Sequence, residues 1–171
     1  MAFDTYMLID GAAVVKGEAT AKGLTPAAGW FEIFSFSWGA SNPTTVGTGA
    51  SGLAAGKVSV SSFNVMKKSE DASPLLFSAC CNGQHFPKAQ VVMRKATGTG
   101  GQKVFLKYDF TDVMVESVQW SGSSGGDDTP TESISFAFAA VSIQYYKQGT
   151  DKGILVAGNL ASWDLTKAAK P

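Results

Sequence analysis

The sequence predicts a mainly β domain. Three observations lead there: strand-like segments recur between Gly, Ser, Asn and Pro clusters, apolar residues alternate with period two inside them, and only one stretch carries helix punctuation. With 171 residues, 44% of them apolar and 16% charged, the chain can bury one sizeable core and is short for two, so residues 1–171 are expected to form a single domain.

Taken in chain order, Phe3 to Asp10 reads as an opening strand. From Trp30 to Trp38, the aromatic residues Phe34, Phe36 and Trp38 alternate with Ser35 and Ser37, so one face should pack while the serine face meets solvent or a wet cavity. Ser73 to Gly83 is different: Ser73 could cap a helix, Pro74 suits its first position and Gly83 its end. The spacing predicts a helix of about two turns that buries Leu76 and Cys80, with Leu75 and Ala79 beside them. Ala89, Val91 and Met93 alternate with Gln90 and Arg94, and Val104, Leu106, Tyr108 and Phe110 with Phe105, Lys107 and Asp109. Thr97 to Gly101 would join these two runs as a hairpin loop.

Between Thr131 and Tyr146 the apolar phase changes from even (Ile134, Phe136, Phe138) to odd (Val141, Ile143, Tyr145) at Ala139 and Ala140, which predicts a bulge or a corner. After Gly149, residues Ile154 to Leu165 hold enough apolar side chains for a last docked strand, and fraying is expected from Lys167 to Pro171. Two Gly-rich loops, Thr44 to Gly56 and Ser121 to Pro130, are longer than turns require.

Charge narrows the function. Lys plus Arg and Asp plus Glu both number 14, so nothing favours nucleic acid or an anionic membrane, and a neutral surface with 19 glycines favours an oligomer. The start, Met1 to Thr5, has no signal-peptide pattern and no stretch is long and apolar enough to span a membrane, so folding in the cytoplasm is expected. Cys80 and Cys81, being neighbours, are read as reduced.

Chemical motifs mostly fail. Gly47, Thr48, Gly49, Ala50, Ser51 and Gly52 match G-x-G-x-x-G, yet the segment downstream, Lys57 to Met66, reads as strand rather than the helix a pyrophosphate needs. Gly56 and Lys57 hint at a phosphate loop, but Ser51 and Val58 stand where its Gly and its Ser or Thr should be. His85 lies near Cys80 and Cys81, but thiols on a short apolar helix read as buried and structural, and one His with two adjacent Cys gives no tetrahedral metal set. Asp127 and Asp128 suit a turn, Asp109 and Asp112 have no basic or histidine partner beside them, and Lys67, Lys68, Glu70 and Asp71 read as a solvated patch. No catalytic set and no cofactor are expected.

One ordered combination is specific: Phe3 to Asp10, Lys16-Gly17-Glu18, Phe36-Ser37-Trp38-Gly39, Gly56-Lys57-Val58, Ser73-Pro74-Leu75-Leu76, Gly83-Gln84-His85-Phe86-Pro87, Arg94-Lys95-Ala96, and Phe138 to Tyr146. It resembles the haemolysin-coregulated proteins, tube subunits of bacterial type VI secretion systems, with departures at Ala12 to Ala28 and after Gly149. The resemblance implies an antiparallel β-barrel formed by two sheets with one short flanking helix. It also implies hexameric rings that stack into a tube, are driven out by a sheath beneath a spike, and carry small effectors without membrane insertion. Assembly in the bacterial cytoplasm and export without a signal peptide would follow. The family's extended loop maps onto Thr44 to Gly56, which makes Gly47, Thr48, Gly49, Ala50, Ser51, Gly52 and Leu53 the expected contact between subunits or rings, and Ser35 and Ser37 the expected lumen face. The residues taken alone also allow a monomeric β-barrel that binds a small ligand, or a hydrolase using Cys81 and His85.

Overall fold

The computed structural model describes residues 3–10, 15–26, 28–46, 52–97, 101–126, 128–149 and 154–170. In chain order the elements are β1 (Asp4–Asp10), β2 (Phe31–Ile33), β3 (Ser35–Ser37), β4 (Ala40–Ser41), β5 (Thr44–Val46), β6 (Leu53–Ala55), β7 (Ser59–Val60), β8 (Phe63–Lys68), α1 (Ala72–Asn82), β9 (His85–Ala96), β10 (Gln102–Ser121), β11 (Thr131–Gln148) and β12 (Leu155–Asp164).

The main sheet is antiparallel, in the order β2-β1-β9-β10-β11-β8-β3, with β12 added on β11. Its two ends are neighbours in the chain, because only Phe34 separates β2 from β3, and the Phe34 N–H donates to the Met66 carbonyl at 2.8 Å. One short segment therefore joins both edges and winds the sheet into a barrel. This crossing explains a departure from the expected pattern. Phe31 and Ile33 point inward, the phase slips at Phe34, and Phe36 and Trp38 resume the inward face, leaving Phe34 exposed rather than packed.

The phase change expected in β11 occurs and is shared by its neighbours. Inward residues run Phe86 then Ala89 and Val91 in β9, Tyr108 and Phe110 then Val113 and Val115 in β10, and Ile134 and Phe136 then Val141 in β11. The slips align across the sheet: Thr111 pairs with both Lys88 and Ala140, while Asp112 is skipped in both registers. Asp112 has φ 52°, a left-handed backbone that bends β10 there. Pro87, which has no N–H to offer a ladder, lies at the same level of β9. The result is a crease that folds one continuous sheet into two faces, the form in which the two expected sheets are realised.

Inside the barrel, Trp38 meets the rings of Tyr108, Phe110 and Phe138 edge-on at centroid distances of 5.4, 6.0 and 6.0 Å, and Phe36 stacks on Phe63 at 5.7 Å. Each buried aromatic or large aliphatic side chain contributes about 1.5–3 kcal/mol. The helix covers the inner side, burying Leu76 and Ala79 against this core. It begins earlier than the expected Ser73 cap and runs 11 residues, about three turns. Ser73 sits inside it, where its hydroxyl accepts the Glu70 N–H at 2.9 Å. Leu75 is exposed instead of buried, since the inward stripe is Ala72, Ser73, Leu76 and Ala79. Gly83 ends the helix as expected, with φ 67° and its N–H returned to the Ala79 carbonyl.

A smaller cluster of Tyr6, Leu24, Trp30 and Val92 lies on the other face of β1 and β9. Arg94 fixes the covering segment by donating to the Lys22 carbonyl at 2.7 Å. Beyond β12, the Asp164 carboxylate accepts from Thr166 Oγ1 (2.6 Å), Thr166 N (2.9 Å) and Lys167 N (3.1 Å), so the residues just after the strand form a turn.

Candidate functional site

The expected lumen residues Ser35 and Ser37 are exposed on β3, on the face opposite the barrel core. Strand register carries that face across the sheet. Ser37 pairs with Asn64, Asn64 with Ser135, and Ser135 with Ser117, while the neighbouring row reads Ser35, Met66, Ser133 and Gln119. Directly paired residues share a face, so these eight side chains form one wall without a charged group among them. Ser135 Oγ hydrogen-bonds Asn64 Oδ1, and Asn64 Nδ2 donates to the Ser62 carbonyl at 3.2 Å, which holds the centre of the wall in place. Local periodicity points to two of these positions; the others need the register.

From β3 and β8 the chain continues outward as an arm. Ala40 pairs with Val60 and Ser41 with Ser59, then Thr44 with Ala55 and Val46 with Leu53. Among the described residues, these strands pair only with each other and expose nearly every side chain. Residues 39–46 at strand rise span about 25 Å. Gly56 marks the waist of the arm: its N–H donates to the Pro43 carbonyl at 2.7 Å, and a Cβ there would lie 2.7 Å from the same oxygen. Near the tip, Val46 and Leu53 face each other at 75% and 71% exposure. A bare two-stranded ribbon is marginal in water, and an apolar pair at its end is a contact waiting for a surface. Of the expected contact residues, Gly52 and Leu53 lie on the arm; Gly47, Thr48, Gly49, Ala50 and Ser51 fall outside the described residues.

In the charged patch before the helix, Lys68 and Asp71 are exposed as expected, but Lys67 is not. Lys67 and Glu132, paired across β8 and β11, are both fully buried, with Nζ 3.1 Å from Glu132 Oε2. Lys67 also donates to the Lys68 carbonyl (2.8 Å) and Ser73 Oγ (3.1 Å) and lies 3.3 Å from Glu70 Oε1. The other Glu132 oxygen accepts the Trp120 indole N–H at 2.7 Å. Burial alone would push the Glu132 carboxyl up, but the Ser73 and Ser69 hydroxyls and the Lys67 charge hold it below the ordinary glutamate value. Glu70 extends the network to the Lys16-Gly17-Glu18 motif, accepting the Glu18 N–H at 2.9 Å. Gly17 is required there because a Cβ would come 2.3 Å from the Trp30 carbonyl oxygen. The signal that could have located Lys67 was its phase, since Phe63 and Val65 point inward at the same period.

The candidate chemistry stays dispersed. His85 Nδ1 lies 2.8 Å from Asp112 Oδ1, an exposed pair at the crease, and Asp109 takes Lys107 at 3.1 Å and Gln90 Nε2 at 2.8 Å. Asp112 thus gains its partner from across the strands, while Asp109 has one across the strands in Gln90 and one in Lys107, two residues earlier on the same face of β10. Cys80 is half-buried on α1 and Cys81 exposed. Among the described residues no group of three His, Cys, Asp or Glu side chains could hold a metal, and no helix is long and apolar enough to cross a membrane.

Comparison with known proteins places the chain. A family model described as type VI secretion system effector, Hcp, matches residues 6–145. Protein hcp1 of Pseudomonas aeruginosa is 37% identical over 95 residues, a match spanning 56% of this chain and 57% of that protein. A solved structure described as a type six secretion system protein superposes with a TM-score of 0.84 at 36% identity, covering 99% of this chain and 100% of the other. The crystal structure of Hcp1 from Salmonella typhimurium gives a TM-score of 0.75 at 31% identity, covering 98% and 97%. A barrel closed at Phe34, one helix on its core and a projecting ribbon are thus the fold of a known lineage: this chain belongs to the Hcp family of type VI secretion.

Proposed function

We propose that the chain is the repeating subunit of a type VI secretion tube. Six copies close into a ring through one heterologous contact, rings stack head to tail, and the contractile sheath drives the tube out beneath a spike, with small effector proteins held in the lumen. Subunits assemble in the bacterial cytoplasm and leave the cell through the same machine. Family membership supports the setting. The observation that carries the assembly is the arm of β4 to β7, which exposes Val46 and Leu53 and pairs with nothing else among the described residues. Docking on another copy would bury this apolar pair and give the ribbon the surface it lacks.

The uncharged wall around Ser35, Ser37, Asn64 and Ser135 supports the second half of the reading, as a polar lining facing the lumen. Negative-stain microscopy of the purified chain should show rings and stacks. Deleting Ala50 to Gly52 should shorten or abolish the stacks while the circular dichroism of the fold is kept. Unchanged stacking would remove the arm from the interface.

A further inference from the structure

We infer that the serine wall holds protein cargo through hydrogen bonds from uncharged groups, so that a tube of this chain accepts cargo of either net charge and retains it independently of salt. This rests on the reading that the wall faces the lumen, and it adds what kind of partner the wall fits. Both rows of the wall are free of charge, and the first charged residues beside them on its face, Lys68, two residues beyond Met66 along β8, and Glu116, at the β10 bulge, are of opposite sign, so the flanks of the wall carry no net charge. The corresponding face beyond the crease is different, for it carries Lys88, Lys107 and Asp109. Absence of charge is therefore local to the wall and not a property of the whole sheet.

The consequence is physical. A fixed charge acts over about 10 Å at 0.1 M salt, and repeated around a closed ring it would draw in proteins of one sign and repel the other. Hydroxyl and amide groups donate and accept alike, so either kind of cargo surface finds a partner. Serine has little rotamer freedom to lose, and the Ser135–Asn64–Ser62 chain of hydrogen bonds already orders the centre of the wall. Met66, 47% exposed, adds one apolar foothold in each copy.

The test co-expresses the full chain with two small monomeric probe proteins of identical fold and size, one strongly acidic and one strongly basic, and measures how much of each co-purifies with the assembled chain at low and high salt. Retention of the two should agree within about two-fold and shift less than that with salt. Ser133→Lys should assemble normally yet favour the acidic probe at least about five-fold at low salt, and Ser37→Asp should favour the basic one equally, both preferences fading at high salt. A wild-type preference of more than about five-fold for one sign overturns the inference while leaving the lumen reading intact. Retention of neither probe, or assembled variants whose retention does not move, overturns the lumen reading itself and the inference with it.

Discussion

Replacing Lys67 by Met should cost about 3–5 kcal/mol, because it leaves the Glu132 carboxylate buried without its cation. Both side chains are fully buried and 3.1 Å apart, so neither can turn to water. The substitution also removes the hydrogen bond to the Lys68 carbonyl and the one to Ser73 Oγ, which ties β8 to the first turn of α1. For a chain of this size the loss corresponds to a fall of roughly 6–20 °C in Tm. Thermal and urea melts at a fixed, verified assembly state would measure it. Lys67→Met with Glu132→Gln should be more stable than Lys67→Met alone, since no buried charge is then left over. The pH dependence separates this from simple misfit. In the wild type the Glu132 carboxyl is held below its ordinary 4.5, so its contribution is present above that pH and lost as pH falls through the folded value. In Lys67→Met, burial pushes the carboxyl up, so stability should rise as pH is lowered toward the ordinary value. A single-variant cost under about 1 kcal/mol, or an acid dependence of unchanged sign, would refute the reasoning.

Three further outcomes are expected from the geometry. Gly17→Ala should lose about 1–3 kcal/mol by chemical denaturation, since its Cβ would sit 2.3 Å from the Trp30 oxygen and 2.6 Å from Phe31 Cβ. At the crease, Asp112→Gly should stay within about 1 kcal/mol of wild type because φ 52° suits glycine, while Asp112→Val should cost about 1–3 kcal/mol in the same melts. Val46→Asp with Leu53→Asp should leave the melting of the barrel unchanged and lower the assembled fraction in sedimentation at least ten-fold, about 1.4 kcal/mol or more per contact.

What the sequence disclosed was whatever depends on local periodicity. The β class, the turn at Ala139 and Ala140, the Gly83 stop and the last strand are each written in a window of a few residues. What stayed hidden depends on pairing between distant strands. Phe34 looks like one more packed aromatic until the sheet closes through it, and Lys67 looks solvated until Glu132 arrives from a strand 65 residues on. The serine wall was glimpsed at Ser35 and Ser37 and completed only by register, which brings Ser117, Ser133 and Ser135 alongside. Asp112 shows the same limit from the other side, for nothing nearby in the chain announces its left-handed backbone or its partner His85.

The central claim is that this barrel is built to meet copies of itself. Size-exclusion chromatography with light scattering on the purified full chain tests it most directly. The account predicts a particle of six times the 17.8 kDa chain mass, shifted to smaller species by the Val46→Asp and Leu53→Asp pair. A stable monomer of 17.8 kDa at every concentration would contradict it.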